Sequence, residues 1–352
     1  MTRPGSIPVT IVTGFLGAGK TSLLNALLRA PEMSASLVLI NEWGDVGLDH
    51  LLIEKVDGDM IAMMSGCLCC TLRGDLVDTL RDRLEQRDRA PIGGFERIVI
   101  ETTGLADPSP VIQAILGDGA TAARLHIAGI VTLIDAVNCA ATMIRHRVGA
   151  AQIAVADVLA ISKSDLIDPA ARAEALRALA FDLRARNRAA RIVDLGANGF
   201  AVKDFLALER RFDSPEMSEG PAPPIHNAWI RTRVLRSARP IDEAAFPAFL
   251  DLLRGALGSG LLRIKGLVAL AGSPDTPLVL QGARDAIQTS RRFPRWPDGD
   301  ATTRIVVIFE GASGATIDRL WAAATRAPTI DAPDMAALTH SPLSAPRGGL
   351  LN

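Results

Sequence analysis

The chain has 352 residues, 48% of them hydrophobic, and its 38 Lys+Arg against 39 Asp+Glu leave a formal net charge of -1. That length suggests two domains with buried cores, and the balanced charge gives no sign of a nucleic-acid or membrane partner. No run of about 18 apolar residues could span a bilayer, and the apolar N-terminal run passes straight into Gly-Ala-Gly-Lys without a signal-cleavage pattern, so a cytoplasmic location is expected.

Residues 7–12 are a short apolar, β-branched run that predicts a buried strand, and residues 21–28 predict a helix with Leu24, Leu27 and Leu28 on one face. Between them, Gly14-Phe15-Leu16-Gly17-Ala18-Gly19-Lys20-Thr21 fits the phosphate-binding pattern Gly, any four residues, Gly-Lys-Ser/Thr. Strand, glycine loop and helix are the order this chemistry needs. Gly14, Gly17, Ala18 and Gly19 let the backbone turn around phosphate oxygens, and N–H groups through the helix start at Ser22 supply partial positive charge. Lys20 is expected to reach the β- and γ-phosphates and Thr21 to hold Mg²⁺.

A second strand is expected at 37–40, followed by the polar segment Asn41-Glu42-Trp43-Gly44-Asp45-Val46-Gly47. Gly66-Cys67-Leu68-Cys69-Cys70 then places three of the four cysteines within four residues, unlike a secreted disulfide framework. Thiolates favour Zn²⁺ and other soft or borderline metals, so Cys67, Cys69 and Cys70 are candidate ligands, with Glu42 or Asp45 as the fourth. Buried structural cysteines and a redox thiol pair are the competing readings. Cys139 stands alone and reads as a small core residue, and the five histidines are scattered.

After a helix at 72–84 and a strand at 97–100 comes Glu101-Thr102-Thr103-Gly104. An acid at that strand end can bind Mg²⁺ through water, and the Gly104 N–H can contact a γ-phosphate; an acid capping an exposed loop is the alternative. Strands at 127–134 and 158–161 follow, the second leading into Ser162-Lys163-Ser164-Asp165, which resembles Asn-Lys-x-Asp with Ser in place of Asn. A carboxylate at Asp165, with Lys163 beside it, accepts from guanine N1–H and its 2-amino group, whereas adenine presents an acceptor there; GTP is therefore expected over ATP. A helix cap is the alternative for this tetrad.

Strands alternating with helices, the latter including Pro169–Arg186, predict an α/β fold: a P-loop NTPase domain with a mainly parallel sheet covered by helices. Ligands are then expected beyond the carboxyl ends of the strands. A strand at 192–194 and a helix at 200–211 close this domain, and the Pro-, Ser- and acid-rich stretch 213–224 reads as a linker. Beyond it, strands at 229–235, 261–264, 268–271, 278–280 and 305–309 and a helix at 241–257 predict a smaller C-terminal α/β domain. Its last helix would put Ile317, Leu320, Trp321 and Ala324 on one face. The expected division is 1–212, a linker at 213–224, 225–327, and a disordered tail at 328–352.

Taken together and in this order, the 14–21 loop, the 41–49 segment, the Gly-Cys-x-Cys-Cys motif, Glu101-Thr102-Thr103-Gly104-Leu105-Ala106-Asp107-Pro108 and Ser162–Asp165 resemble the CobW-type family of P-loop GTPase metallochaperones. Leu261-Leu262-Arg263-Ile264-Lys265-Gly266 and Val279-Leu280-Gln281-Gly282 resemble that family's C-terminal domain, so the likeness covers nearly residues 7–325. It implies metal-dependent GTP hydrolysis coupled to delivery of Zn²⁺, Co²⁺ or a similar ion to a client metalloprotein. Trp43 stands where the family usually has Phe, Asp45 where Glu is frequent, and no histidine-rich segment is present, which argues against metal storage. Two other readings stay open: a GTP-timed activator that grips a metalloenzyme, and an ATP-using P-loop enzyme whose cysteines are structural.

Overall fold

A strand covered on both faces must be apolar nearly throughout, and β1 (Ile7–Gly14) is buried at every position but one. The computed structural model describes residues 6–43, 60–65, 71–89, 94–138, 146–198, 202–208 and 230–325. In it β1 is the middle of a seven-stranded sheet with β2 (Ser36–Trp43), β3 (Met60–Ser65), β4 (Arg97–Glu101), β5 (Leu125–Asp135), β6 (Val158–Ser162) and β7 (Arg191–Asp194). The order is β3-β2-β4-β1-β5-β6-β7, and every pairing is parallel, so all carboxyl ends lie along one edge.

Helices α1 (Lys20–Leu28), α2 (Thr71–Arg89), α3 (Ser109–Gly117), α4 (Gly119–Arg124), α5 (Arg147–Val155), α6 (Pro169–Arg186), α7 (Leu195–Asn198) and α8 (Val202–Leu208) complete this half. The side chains alternate as a pleat requires. Val9, Ile11, Leu37, Leu39, Ile98 and Ile100 belong to the core shared with α2 and α3, whereas Val12, Val38, Ile40 and Val99 pack with Leu24, Leu27 and Leu28 of α1 and with Phe205 of α8. Helix α4 begins at Asp118, whose carboxylate accepts from Thr121 N (2.9 Å) and is also gripped by Arg81 of α2.

The second half is an antiparallel sheet in the order β11-β10-β9-β12-β8, built from β8 (Ile230–Ser237), β9 (Leu261–Leu270), β10 (Ser273–Ala283), β11 (Ala286–Arg292) and β12 (Thr303–Glu310). The two strands expected at 261–264 and 268–271 are one, because Gly266 pairs with Ile305 and Leu280 inside it and makes no break. Helix α9 (Ala245–Leu257) starts later than expected, and Pro247 falls in its first turn, where a missing N–H costs nothing. With α10 (Gly314–Thr325) it covers one face of the sheet; Phe246, Phe249 and Leu253 pack there with Ile317 and Trp321, and the rings of Phe249 and Trp321 meet edge-on at 5.2 Å.

The opposite face of that sheet is largely covered as well. Leu262, Ala283, Ala286, Val306 and Ile308 belong to the same apolar cluster as β1, β4, α2 and α3, so one core runs through both halves. Polar groups reinforce the junction. Gln281 donates to Ile127 O (3.1 Å), Gln288 to Ala122 O (2.7 Å), and the partly buried Asp157 carboxylate takes Lys265 (2.8 Å) and the buried Arg263 (3.4 Å) while also accepting from Ile130 N. Burial pushes the Asp157 carboxyl up, but Lys265 and Arg263 outweigh it and hold the group below the usual carboxylate range.

The expected linker 213–224 and tail 328–352 lie outside the described residues, as does part of the helix expected at 200–211, seen as α8. Among the described residues no helix is long and apolar enough to cross a membrane.

Candidate functional site

The turn from β1 into α1 is shaped by close approach. Gly14 has φ 140, and a Cβ there would lie 2.6 Å from Leu133 O of the neighbouring β5. Gly17 and Gly19 are left-handed as well, and Gly19 caps α1 without any side-chain bond, which leaves the first N–H groups of that helix facing the loop. Ala18 is buried beneath the loop and Ser22 is exposed. Lys20 is 8% exposed, and its Nζ lies over the loop, donating to Gly14 O (2.9 Å) and Phe15 O (3.3 Å). Those carbonyls hold the ammonium where an incoming phosphate would meet it. The Phe15 ring rests 4.8 Å from that of His146, at the start of α5.

Strand β4 ends beside this loop. Thr102 N donates to Val12 O (3.0 Å) and its hydroxyl to Thr13 Oγ1 (2.7 Å), which seats the strand end against β1. Thr21 Oγ1 and Glu101 Oε1 thereby come within 3.5 Å, two hard oxygen donors of the kind Mg²⁺ takes. Gly104 folds so closely on the loop that a Cβ would lie 2.6 Å from Leu16 N. The buried Gln152 of α5 secures this segment, its amide donating to Gly104 O (3.3 Å) and Ala106 O (3.0 Å). Gln152 carries no sequence signal, because a lone glutamine in an apolar helix looks like any solvent-facing residue.

Across the sheet edge, the loop after β6 is tied to the phosphate loop. The buried Ser162 hydroxyl donates to Ala18 O at 2.7 Å, with Ile134 O at 3.3 Å. Lys163 adopts φ 59 and its Nζ pairs with Asp135 Oδ2 at 2.6 Å. Asp135 is pushed up by burial, yet hydrogen bonds from Lys163 and Asn138 hold its carboxyl below the usual range. Ser164 donates to Asp194 Oδ1 (2.5 Å), which also accepts from Gly196 N (3.0 Å), and Gly196 lies against Ser164 and the backbone of the exposed Asp165. Asp194 and Gly196 belong to this end of the site although they stand 30 residues along the chain. Their signal was positional, since they follow the carboxyl end of β7.

The thiol end is only partly described. Cys67, Cys69 and Cys70, and Asp45, lie outside the described residues. Glu42 stands in register with Met64 near the ends of β2 and β3, and β3 ends on the edge that carries Gly14 and Glu101. The order β3-β2-β4-β1 puts three strand spacings, roughly 15 Å, between the ends of β3 and β1. Among the described residues no three His, Cys, Asp or Glu side chains are grouped closely enough to hold a metal ion.

Two family profiles match the chain: "CobW/HypB/UreG, nucleotide-binding domain" over residues 8–193 and "Cobalamin synthesis protein cobW C-terminal domain" over residues 230–325. The chain is 30% identical over 314 residues to the zinc chaperone YjiA of Escherichia coli K12, covering 87% of this chain and 94% of that protein. It is 41% identical over 168 residues to the zinc-regulated GTPase metalloprotein activator 1 of Schizosaccharomyces pombe, covering 46% of this chain and 40% of that protein. A crystal structure of the Zn(II)-bound YjiA GTPase from E. coli superposes with a TM-score of 0.66 at 25% identity, covering 91% of this chain and 99% of that one.

Proposed function

The chain belongs to the CobW family of P-loop nucleotide-binding proteins, and from that premise we propose that it is a GTP-hydrolysing metallochaperone, which binds a divalent ion of the zinc or cobalt class and delivers it to a client metalloprotein. The observation that supports this reading is the strand order β3-β2-β4-β1, which brings the carboxyl ends of β3, of β4 at Glu101 and of β1 at the phosphate loop to one edge of the sheet. Similar proteins are named zinc chaperone and GTPase metalloprotein activator, which supports zinc as cargo and a metalloprotein as recipient. Cytoplasmic residence, without nucleic-acid or membrane partners, is part of the proposal, as is the division into a nucleotide-binding domain 1–212, linker 213–224, C-terminal domain 225–327 and tail 328–352.

The roles follow from the chemistry of each group. Gly14, Gly17, Ala18, Gly19 and the start of α1 through Ser22 cradle the phosphates, and Lys20 neutralises the β- and γ-oxygens. Thr21 and Glu101 would hold Mg²⁺, which would supply positive charge against that developing on the phosphates. Gly104 addresses the γ-phosphate from the seat that Gln152 provides. Asp165 reads the guanine edge, with Lys163 flanking it. Cys67, Cys69 and Cys70, as thiolates, hold the cargo ion together with Glu42.

A delivery switch requires the metal and nucleotide sites to be coupled. Metal titrated into the GTP-analogue, GDP and nucleotide-free forms in one buffer should give affinities that differ by about 5- to 150-fold, and linkage requires metal to shift the GTP-versus-GDP preference by the same factor. Three equal affinities would favour the GTP-timed activator instead. Equal affinity for GTP and ATP would return the ATP-using enzyme to consideration.

A further inference from the structure

The hairpin between β10 and β11 turns through two residues, Arg284 and Asp285, and both reach into the other half of the molecule. Arg284 Nη2 pairs with Asp107 Oδ2 at 2.8 Å, and Asp285 accepts from the amide of Gln113 on α3. Asp107 closes the segment that begins at Gly104, and its other oxygen starts α3 by accepting from Ser109 N (2.9 Å) and Ser109 Oγ (2.7 Å). The Gly104–Ala106 backbone is thus held from one side by Gln152 and at its end by a residue of the C-terminal sheet.

The backbone of Arg284 makes this contact noteworthy. Its φ is 54, in the left-handed region where tight hairpins take Gly, Asn or Asp. An arginine there is a poor choice for the turn alone, and unfavourable backbone conformations persist where the surroundings and the function require them. The side chain's contact is with the segment that Gly104 seats against the phosphate loop at Leu16.

We infer that Arg284 is a positioning residue for GTP hydrolysis: its ion pair with Asp107 holds the Gly104 segment closed on the phosphate loop, and the C-terminal domain thereby sets the turnover rate. This rests on the reading of Gly104 as the γ-phosphate contact. Because the pair stabilises the closed seat, losing it slows hydrolysis without greatly changing how GTP binds, as expected for an interaction that matters in the transition state.

The informative variant of the full chain is Arg284→Gly, since glycine adopts φ 54 freely and the whole side chain, with its guanidinium, is removed without backbone strain. Its melting temperature should equal or exceed that of the wild type, its KM for GTP should stay within about twofold, and its kcat should fall about tenfold. Arg284→Lys, which keeps a cation for Asp107, should recover most of the rate. Adding Asp107→Asn to Arg284→Gly should cost little more, because both substitutions break one pair. Wild-type kcat in Arg284→Gly would overturn the inference, and so would a lowered kcat matched by lowered melting temperature and weakened GTP binding, which would make the contact structural. A wild-type chain that binds no GTP would overturn the reading beneath it, and that outcome is visible before any variant is made.

Discussion

Ser162 is shorter than the asparagine usual in its motif, yet its hydroxyl reaches Ala18 O because β6 ends directly beside the phosphate loop. Only one proton is available, so the 2.7 Å contact to Ala18 takes precedence over the 3.3 Å approach to Ile134. Ser162→Ala should remove about 1 kcal/mol, weakening GTP and GDP alike by about fivefold in direct titration; unchanged affinities would mean that the bond does not shape the site. Gly104→Ala tests the other end. A methyl 2.6 Å from Leu16 N must push the segment off the phosphate loop, and hydrolysis should fall at least about tenfold in steady-state assays while the fold persists. The placement of the phosphate loop, Glu101, Gly104 and Asp165 along the carboxyl edge of the sheet was legible because each lies at or just beyond the end of an apolar strand run. Gln152 and Arg284 were not, since an amide bonding to backbone and an arginine meeting a distant aspartate leave no local pattern.

At the level of elements, α4 shows how much one cap can carry. Hydrogen bonds from the Thr121 hydroxyl and from Arg81 draw the Asp118 carboxyl down to about 2. A group depressed in the folded state stabilises above its unfolded value, near 4, and that contribution is lost as pH falls toward 2. Asp118→Ala should therefore cost about 1 kcal/mol at neutral pH. The gap between its melting temperature and that of the wild type should narrow as pH falls from about 4 toward 2, and a gap independent of pH would dissociate the cap from the carboxylate's charge. The strands β1, β2, β4, β5 and β6 stood out as apolar β-branched runs, and Pro169–Arg186 was bounded by Asp168 and Pro169 at its start. By contrast, β3 is methionine-rich and lacks β-branched character beyond Ile61, and β11 reads as polar because arginines and glutamine occupy it. The short helices α3 and α5 are apolar nearly all round, which hides their period because both of their faces are covered.

The molecule as a whole is joined by charge as well as by apolar packing. Asp157→Asn would leave Arg263 buried without its counter-charge, and breaking such a pair from one side costs about 3–5 kcal/mol, measurable by chemical denaturation. A loss under about 1 kcal/mol would show that Arg263 finds water instead. Since the Asp157 carboxyl is depressed in the folded state, its contribution is whole above the ordinary aspartate value and disappears as pH falls through the folded one. The shared core also bears on synthesis. The parallel sheet is finished once α8 has been made near residue 208, but its apolar partner β12 is completed only at residue 310, about 100 residues later. At about 5–20 residues per second the ribosome needs roughly 5–20 s to supply it. Until β9, β10 and β11 have followed, the faces of α3 and α5 that will receive the second sheet lack their cover from the same chain, and the nascent protein is at its most dependent on folding helpers.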